Sequence, residues 1–389
     1  MVSNSDTKSA TKTEGSTEWT ITGEKVIKFK LVSGESDFAD DTLTFPPTYT
    51  HQIFDEELVK GYKNPKCNIF FTSSSMKPYY SFTYEEKQHD LATDVLKTLK
   101  KCIPKGVDFM LNSDQFIKTA EKDLKEWTPP GQEIATYHIP NSDTVYQIRK
   151  GTLKDSGVVA FHKRIEMLVL FFIDASSLID TQDPGWEFYF IFEKSESFGQ
   201  TIHKFVGYTS VYQFYAFPDR IRKRISQVLI LPPYQGKLHA YHLLNTIYND
   251  SRISKVRDIT VEGPSEAFST IRDVVDCVQL TKAGFFQEDP EDEPTKEELQ
   301  AIEDKLKICK EQARKCFDLF WYKTTDKRNE SEYRKLRLAM KRKIYKQCSE
   351  YLMSIQDVNE RKSQIAEMYQ EQEQQWDRVI IKLDKMIHR

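Results

Sequence analysis

Residues 225–248, ISQVLILPPYQGKLHAYHLLNTIY, combine residue types that can do chemistry. An apolar, strand-like run ends at Pro232-Pro233, because proline cannot donate to a sheet ladder. A short loop, Gln235-Gly236-Lys237-Leu238-His239-Ala240, then leads into a helix. A helix entered through a loop of small residues aims its free N–H groups at an anion such as a pyrophosphate. Leu238 stands where that cradle wants a small residue, and strand, loop and helix also describe an ordinary βα turn. A second candidate is Glu262, at the end of the strand VRDITVE and directly before Gly263-Pro264. A strand-end carboxylate can accept a proton, although any strand may end in an exposed glutamate. Asp174 lies inside the apolar run VLFFIDASSLI, where a charge is costly unless it is paired or opens to a cleft. The plainer readings are a surface acid at the polar edge of the helix, or one paired with an arginine such as Arg164.

The elements that must position these residues follow from patterning. The first 17 residues are rich in Ser, Thr and Lys and are expected to be a disordered tail. Residues 18–150 are β-rich, with VIKFKLV, CNIFFTSS and PYYSFTYEE each bounded by turn residues, and a helix is expected over 86–100. Residues 151–287 form a second unit. FHKRIEMLVLFFIDASSLID is apolar on nearly all sides and reads as one buried helix. Strands EFYFIFEK, KFVGYTSVYQFYAF and RISQVLILPPY follow, then a helix over 240–249, the strand VRDITVE, a helix from near Ser265 and a last apolar stretch, GFF. That order predicts a mixed α+β fold with a partly parallel sheet. Residues 288–389 open with an acidic linker. Thr295-Lys296-Glu297-Glu298 has capping-box spacing, and two or three long helices are expected to follow.

Composition limits the function classes. The 389 residues carry a net charge of −3, so global attraction to nucleic acid or to an anionic membrane is not expected. The ten basic and three acidic residues between 321 and 346 read as a solvated helix face. No apolar run approaches the roughly 18 residues a membrane span requires. The six cysteines form no C-x-x-C pair and are expected as free thiols in an intracellular protein. His239 and His242 are spaced for one helix face but lack a third ligand, so no metal is expected.

RISQVLILPPYQGK resembles the cofactor motif of the GCN5-related N-acetyltransferases, and more closely that of the type B histone acetyltransferase catalytic subunits. FPPTYTHQIFDEELVKGYK resembles that family's N-terminal domain. FFIDASSLID with GWEFYFIFEK resembles its central helix and strand, VGYTSVYQFYAFPDRIR and DITVEGPSEAFSTIRD its sheet and the element after it, and EYRKLRLAMKRKIY the helical extension of its longer members. The matches run in family order from about residue 40 to near the end. The resemblance implies an N-terminal β-rich domain, a central acetyltransferase domain with a splayed mixed sheet, and a helical C-terminal extension.

The same resemblance implies acetyl-CoA as co-substrate. It puts Val228, Leu229 and Ile230 beside the acetyl and pantetheine groups, Gln235, Gly236, Lys237, Leu238, His239 and Ala240 around the pyrophosphate, and Ser265 near the cofactor. It makes Glu262 the general base and assigns Asp174 a catalytic carboxylate. Asp55, Glu56 and Glu57, with Tyr212, Gln213 and Phe214, would border a groove for the lysine-rich tail of newly made, free histone H4. Acids and strand edges suit such a tail; a solvated loop and a core strand are the plainer readings. The implied partner is a WD-repeat histone chaperone, and the implied location is nucleus and cytoplasm. Leu238 replaces a family glycine, and Gly263 a family aspartate. Were position 238 to require a positive φ, leucine there would cost about 1–2 kcal/mol. The two departures also allow a catalytically weakened paralogue that binds histone or chaperone. A small-molecule N-acetyltransferase would fit the central domain alone.

Overall fold

The strand-like patterning around the two prolines resolves into a long strand and a helix. The computed structural model describes residues 18–88, 92–197, 199–252, 255–286 and 293–387. The expected disordered tail over 1–17 lies outside these residues, as does most of the acidic linker. The chain forms two units interlaced in sequence. One comprises the residues up to Gly131 with Leu153–Gln182 and Phe192–Val206; the other comprises Gln132–Thr152, Asp183–Ile191 and Gly207–Arg389. The sequence reading drew consecutive segments instead.

In the first unit, strands β1 (Ile27–Val32), β2 (Lys66–Thr72) and β3 (Pro78–Thr83) form a sheet in that order, β1 and β2 parallel, β2 and β3 antiparallel. Helix α1 (Ser113–Glu126) covers it, with Phe116 and Ala120 packed on Val32, Phe70 and Tyr79. Asn112 caps α1 by accepting from the Gln115 N–H at 2.8 Å. The helix expected over 86–100 begins only at Val95, where Asp94 accepts from Lys97 N–H. Glu86 and Lys87 instead pair with Lys63 and Tyr62 as a short ladder.

The apolar run after residue 155 is not one helix. Helix α2 (Ser156–Ile165) passes through a 3₁₀ turn to a last helical turn, Val169–Phe172, and ends there. The Phe171 carbonyl is taken by the Thr48 and Tyr49 N–H groups, both at 2.9 Å, and Ala175 turns left-handed at φ 50°. The buried acid of this run is Glu166, whose Oε1 accepts from Ile179 N–H at 2.5 Å; burial raises its pKa to about 7.

The second unit is built on a six-stranded sheet, for which β4 (Gln132–His138), β5 (Val145–Thr152), β6 (Trp186–Ser197), β7 (Gln200–Ala216), β8 (Arg220–Ile230) and β9 (Val256–Val261) run in the order β9-β8-β7-β6-β5-β4. Residues 192–206, parts of β6 and β7, count with the first unit. β7 and β8 are antiparallel and β8 and β9 parallel, giving the partly parallel sheet the order of elements predicts. Helix α3 (His239–Arg252) makes the crossover from β8 to β9, and α4 (Glu266–Lys282) follows β9.

Five charged or polar groups fix α3 to the sheet. Asp250 accepts from Lys150 at 2.8 Å, Lys223 at 3.1 Å and the Tyr189 hydroxyl at 2.6 Å, while Glu187 meets Lys150 at 3.1 Å and Lys223 at 2.9 Å. Burial pushes the Asp250 pKa up, but the hydrogen bonds from Lys150 and Tyr189 and the Lys223 charge hold it below the usual carboxylate range.

The C-terminal region is helical: α5 (Lys296–Leu306), α6 (Lys310–Thr324), α7 (Glu330–Gln347) and α8 (Val358–Ile387). The capping box forms as its spacing predicts, Thr295 accepting from Glu298 N–H and Glu298 from Thr295 N–H. Trp376, Val379 and Leu383 form the buried stripe of α8, which packs on α4. No helix among the described residues is long and apolar enough to cross a membrane.

Candidate active site

Strand β8 changes partners along its length. Its pairing with β9 runs from Ile221 to Ile225 and closes with Glu262 N–H donating to the Ile225 carbonyl at 2.9 Å. β8 continues to Ile230, so Ser226–Ile230 carry no β9 partner on that edge. On the other edge Val228, Leu229 and Ile230 stay paired with Thr209, Tyr208 and Gly207 of β7. The register slips between Thr209 and Val211, setting Ser226 and Gln227 opposite Ser210 alone. Such a bulge bends the strand and ends local pairing. An open edge of backbone N–H and C=O groups results, beside the sheet's parallel junction. Leu229 anchors it, nearly fully buried, while Val228 and Ile230 are half-buried.

The loop after the strand has the conformation on which the leucine question turned. Gly236 lies at φ 75° and Leu238 at φ 66°, so position 238 is left-handed and carries the strain that glycine would avoid. The Leu238 carbonyl accepts the first bond of α3, from His242 N–H at 3.1 Å. A leucine side chain has no acceptor to cap the N–H groups of His239, Ala240 and Tyr241, which as first-turn groups have no acceptor within the helix. Leu238, Gly236, Lys237 and Tyr241 line a cavity of about 350 Å³. Gln235 Nε2 donates to the Ile230 carbonyl at 2.9 Å, and Lys237 Nζ lies 3.3 Å from the Pro233 carbonyl.

His239 turns its ring inward. It is 2% exposed, hydrogen-bonds through Nδ1 to the Tyr137 hydroxyl at 2.7 Å and packs edge-on to Tyr146. His242 stacks on Tyr137 with ring centroids 4.1 Å apart. Burial pushes both imidazoles down to about 4, so each is neutral at pH 7 and adds no charge to the loop. In the unfolded chain they bind protons at about 6.5. Between those values the unfolded state holds more protons, so stability is present above pH 6.5 and is lost as pH falls toward 4. Thermal melts of His242→Phe, which keeps a ring on Tyr137, should show a shallower loss over that window than wild type. Equal slopes would contradict this assignment.

Glu262 lies one residue beyond β9, exposed, with Oε2 accepting from the Ser226 hydroxyl at 2.8 Å. Ser226 is the first residue of β8 beyond the β9 pairing, so the carboxylate is held where that pairing ends. Sequence reasoning missed Ser226, because one hydroxyl in a strand carries no signature. Gly263 adopts φ 44°, a left-handed position that aspartate also tolerates better than most residues. The Ser265 hydroxyl is committed to capping α4, accepting from Phe268 N–H at 3.3 Å. Tyr212 and Phe214 face the same side of β7, with ring centroids 4.6 Å apart; Trp186 meets Tyr212 at 5.0 Å, and Arg224 lies 4.6 Å over Phe214. Tyr212 pairs with Arg224 and Phe214 with Arg222, which set them on the β8 face that also carries Ser226. Gln213 N–H donates to the Gly185 carbonyl at 3.0 Å.

The remaining candidates belong to the first unit. Asp174 is not inside a buried helix: it sits on the turn after Phe172, its side chain 66% exposed, 3.3 Å from His51 Nε2. Arg164 is not its partner, since its Nε donates to the Ser75 carbonyl at 2.6 Å. Asp55, Glu56 and Glu57 form an exposed 3₁₀ turn with Glu56 and Glu57 at φ 54° and 62°, and Glu56 pairs with Lys60 at 2.7 Å. Among the described residues no group of three His, Cys, Asp or Glu is arranged to hold a metal.

An open strand edge, a helix entered through a left-handed turn and a carboxylate beside them suit transfer chemistry with an anionic donor. Comparison with known proteins names the class. The family profile described as the histone acetyltransferase HAT1 N-terminus matches residues 19–174, and that of the histone acetyltransferase type B catalytic subunit, C-terminal, matches residues 272–322. The Homo sapiens histone acetyltransferase type B catalytic subunit is 32% identical over 82% of this chain and 78% of its own length. A Dictyostelium discoideum relative of the same description is 32% identical over 81% of this chain and 70% of itself. A Cryptococcus neoformans relative is 29% identical over 93% and 97%. Among solved structures, an aminoglycoside acetyltransferase matches 37% of this chain at 12% identity and a TM-score of 0.23. The chain belongs to the family of type B histone acetyltransferase catalytic subunits and is an acetyltransferase.

Proposed function

We propose that the protein transfers the acetyl group of acetyl-CoA to a lysine on the N-terminal tail of newly synthesised, free histone H4. The observation that carries this reading is the end of the β9 pairing at Ile225, with Glu262 held there by the Ser226 hydroxyl and β8 continuing past it. Acetyl-CoA supplies an acetyl thioester, and the residues present fit it: the free edge suits the amides of pantetheine, and the first turn of α3 offers N–H groups to a pyrophosphate.

A lysine amine has a pKa of about 10.4, so it reaches the site charged. Glu262 accepts that proton, directly or through a water, and leaves a neutral nucleophile. The neutral amine would attack the thioester carbonyl, and a backbone N–H of β8 beyond Ile225 would stabilise the negative charge developing on its oxygen. Cleavage of the C–S bond would release CoA, its thiolate taking up a proton. Asp174 is proposed as a second carboxylate. The Tyr212–Phe214 face and the Asp55–Glu57 turn are proposed to border the tail. A WD-repeat histone chaperone is the proposed partner, with nucleus and cytoplasm as the sites of action.

One observation favours a second reading. The Leu238 side chain lines the cavity beside the loop, where a glycine would leave the space to the phosphates, and that bulk would weaken cofactor binding and leave a histone-binding module. Calorimetry with acetyl-CoA separates the two: micromolar binding supports the enzyme, and no binding at millimolar cofactor supports the module. Leu238→Gly removes the bulk and should tighten acetyl-CoA binding roughly fivefold, or about 1 kcal/mol. Weaker binding by the variant would contradict this account of the loop.

A further inference from the structure

The cavity beside the Gly236–Leu238 loop has a wall the loop does not supply. The last turns of α8 contribute Lys382, Lys385 and Met386, while α4 contributes Ile271 and Val274. Three lysines, Lys237 among them, line this space, and no carboxylate does. Both α8 lysines are exposed, and neither is engaged by a carboxylate among the described residues. The acids near them are already bound: Asp384 to Lys323, and Glu266 at the start of α4 to Arg378. Tyr322 donates to Asp377 at 2.8 Å and packs on Trp376, which fixes the register of α8. Asn141 adds one neutral polar side chain, the rest of the lining is mainly apolar with Tyr241 as its aromatic ring, and the volume of about 350 Å³ is within the range of small-ligand pockets.

We infer that this cavity receives the 3′-phosphoadenosine end of the acetyl donor, with Lys382 and Lys385 of the C-terminal helix as its phosphate contacts. The inference rests on acetyl-CoA being the donor. A cavity of one charge sign with an apolar floor selects a ligand that is both anionic and flat. The apolar floor and Tyr241 suit a purine, and the ammonium groups suit a phosphate monoester. The loop and the first turn of α3 are left to the pyrophosphate. The C-terminal helix then becomes part of the cofactor site, and its role extends beyond packing on α4.

Titration calorimetry with CoA and with 3′-dephospho-CoA tests this, using the full chain and a Lys382→Gln/Lys385→Gln double variant. Wild type should bind CoA about tenfold more tightly than dephospho-CoA, as a phosphate contact to charged donors implies. The double variant should bind the two alike, with dephospho-CoA affinity and melting temperature unchanged. A double variant that still discriminates tenfold, or a wild type that binds both ligands equally, overturns the assignment of the two lysines. Should wild type bind neither ligand, acetyl-CoA as donor fails, and this inference fails with it.

Discussion

Replacing Glu262 with glutamine is expected to cut lysine acetylation by about 10²–10⁴-fold, the range a positioned general base supplies. Glutamine keeps the size of the side chain and can still accept a hydrogen bond from Ser226, so the geometry at the β9 end is preserved. What is lost is the acceptor for the lysine proton. The pH profile should show this as well as the rate. Without the carboxylate, the rate depends on the small fraction of lysine already neutral, and so should keep rising toward the amine pKa of about 10.4. Acetyl-CoA affinity should be unchanged, because the cofactor contacts proposed above lie on Val228–Ile230, the α3 loop, and Lys382 and Lys385 of α8. A variant with wild-type turnover would remove Glu262 from the mechanism.

The second large effect concerns the scaffold. Asp250→Ala is expected to destabilise the second unit by about 3–5 kcal/mol, as removal of one partner from a buried ionic network does. Lys223 is 3% exposed and would share Glu187 with Lys150, leaving two ammonium groups against one carboxylate. The C-terminal part of α3 would lose its attachment to β5, β6 and β8, and the strand that carries the open edge would loosen with it. Urea denaturation should show a lower midpoint, and amide exchange should accelerate along α3 and β8. Asp304→Ala gives the contrast. Asp304 pairs with Arg220 at 2.8 Å, but both side chains are more than 40% exposed, so its loss should cost less than about 1 kcal/mol. Equal effects from the two substitutions would mean that the buried network contributes no more than a surface pair.

Much of the architecture was legible because its signals are local. Two prolines stop the apolar run of β8, and Thr295 with Glu298 announces α5. The strain at Leu238 was foreseeable as a condition, and the backbone supplies the condition at φ 66°. The surroundings of Asp174 were not legible. Its apolar flanks suggest a continuous buried helix, but the helix ends where Thr48 and Tyr49 take the Phe171 carbonyl, and those donors lie more than a hundred residues earlier. Ser226 was hidden for a related reason. Its approach to Glu262 depends on a bulge in the β7–β8 ladder and on where β9 stops, and both are set by register between strands. The inward rings of His239 and His242 depend on Tyr137 and Tyr146, a hundred residues upstream in β4 and β5.

The edge of β8 beyond Ile225 and Glu262 are proposed to act together in acetylating a histone lysine. The most direct measurement is mass spectrometry of an H4 N-terminal peptide after incubation with the purified protein and acetyl-CoA, beside the polyamine spermidine as a competing amine. Acetyl-lysine is expected on the peptide, with little product on spermidine and product only at background level with Glu262→Gln. An unmodified peptide, despite saturating acetyl-CoA binding, would contradict this proposal.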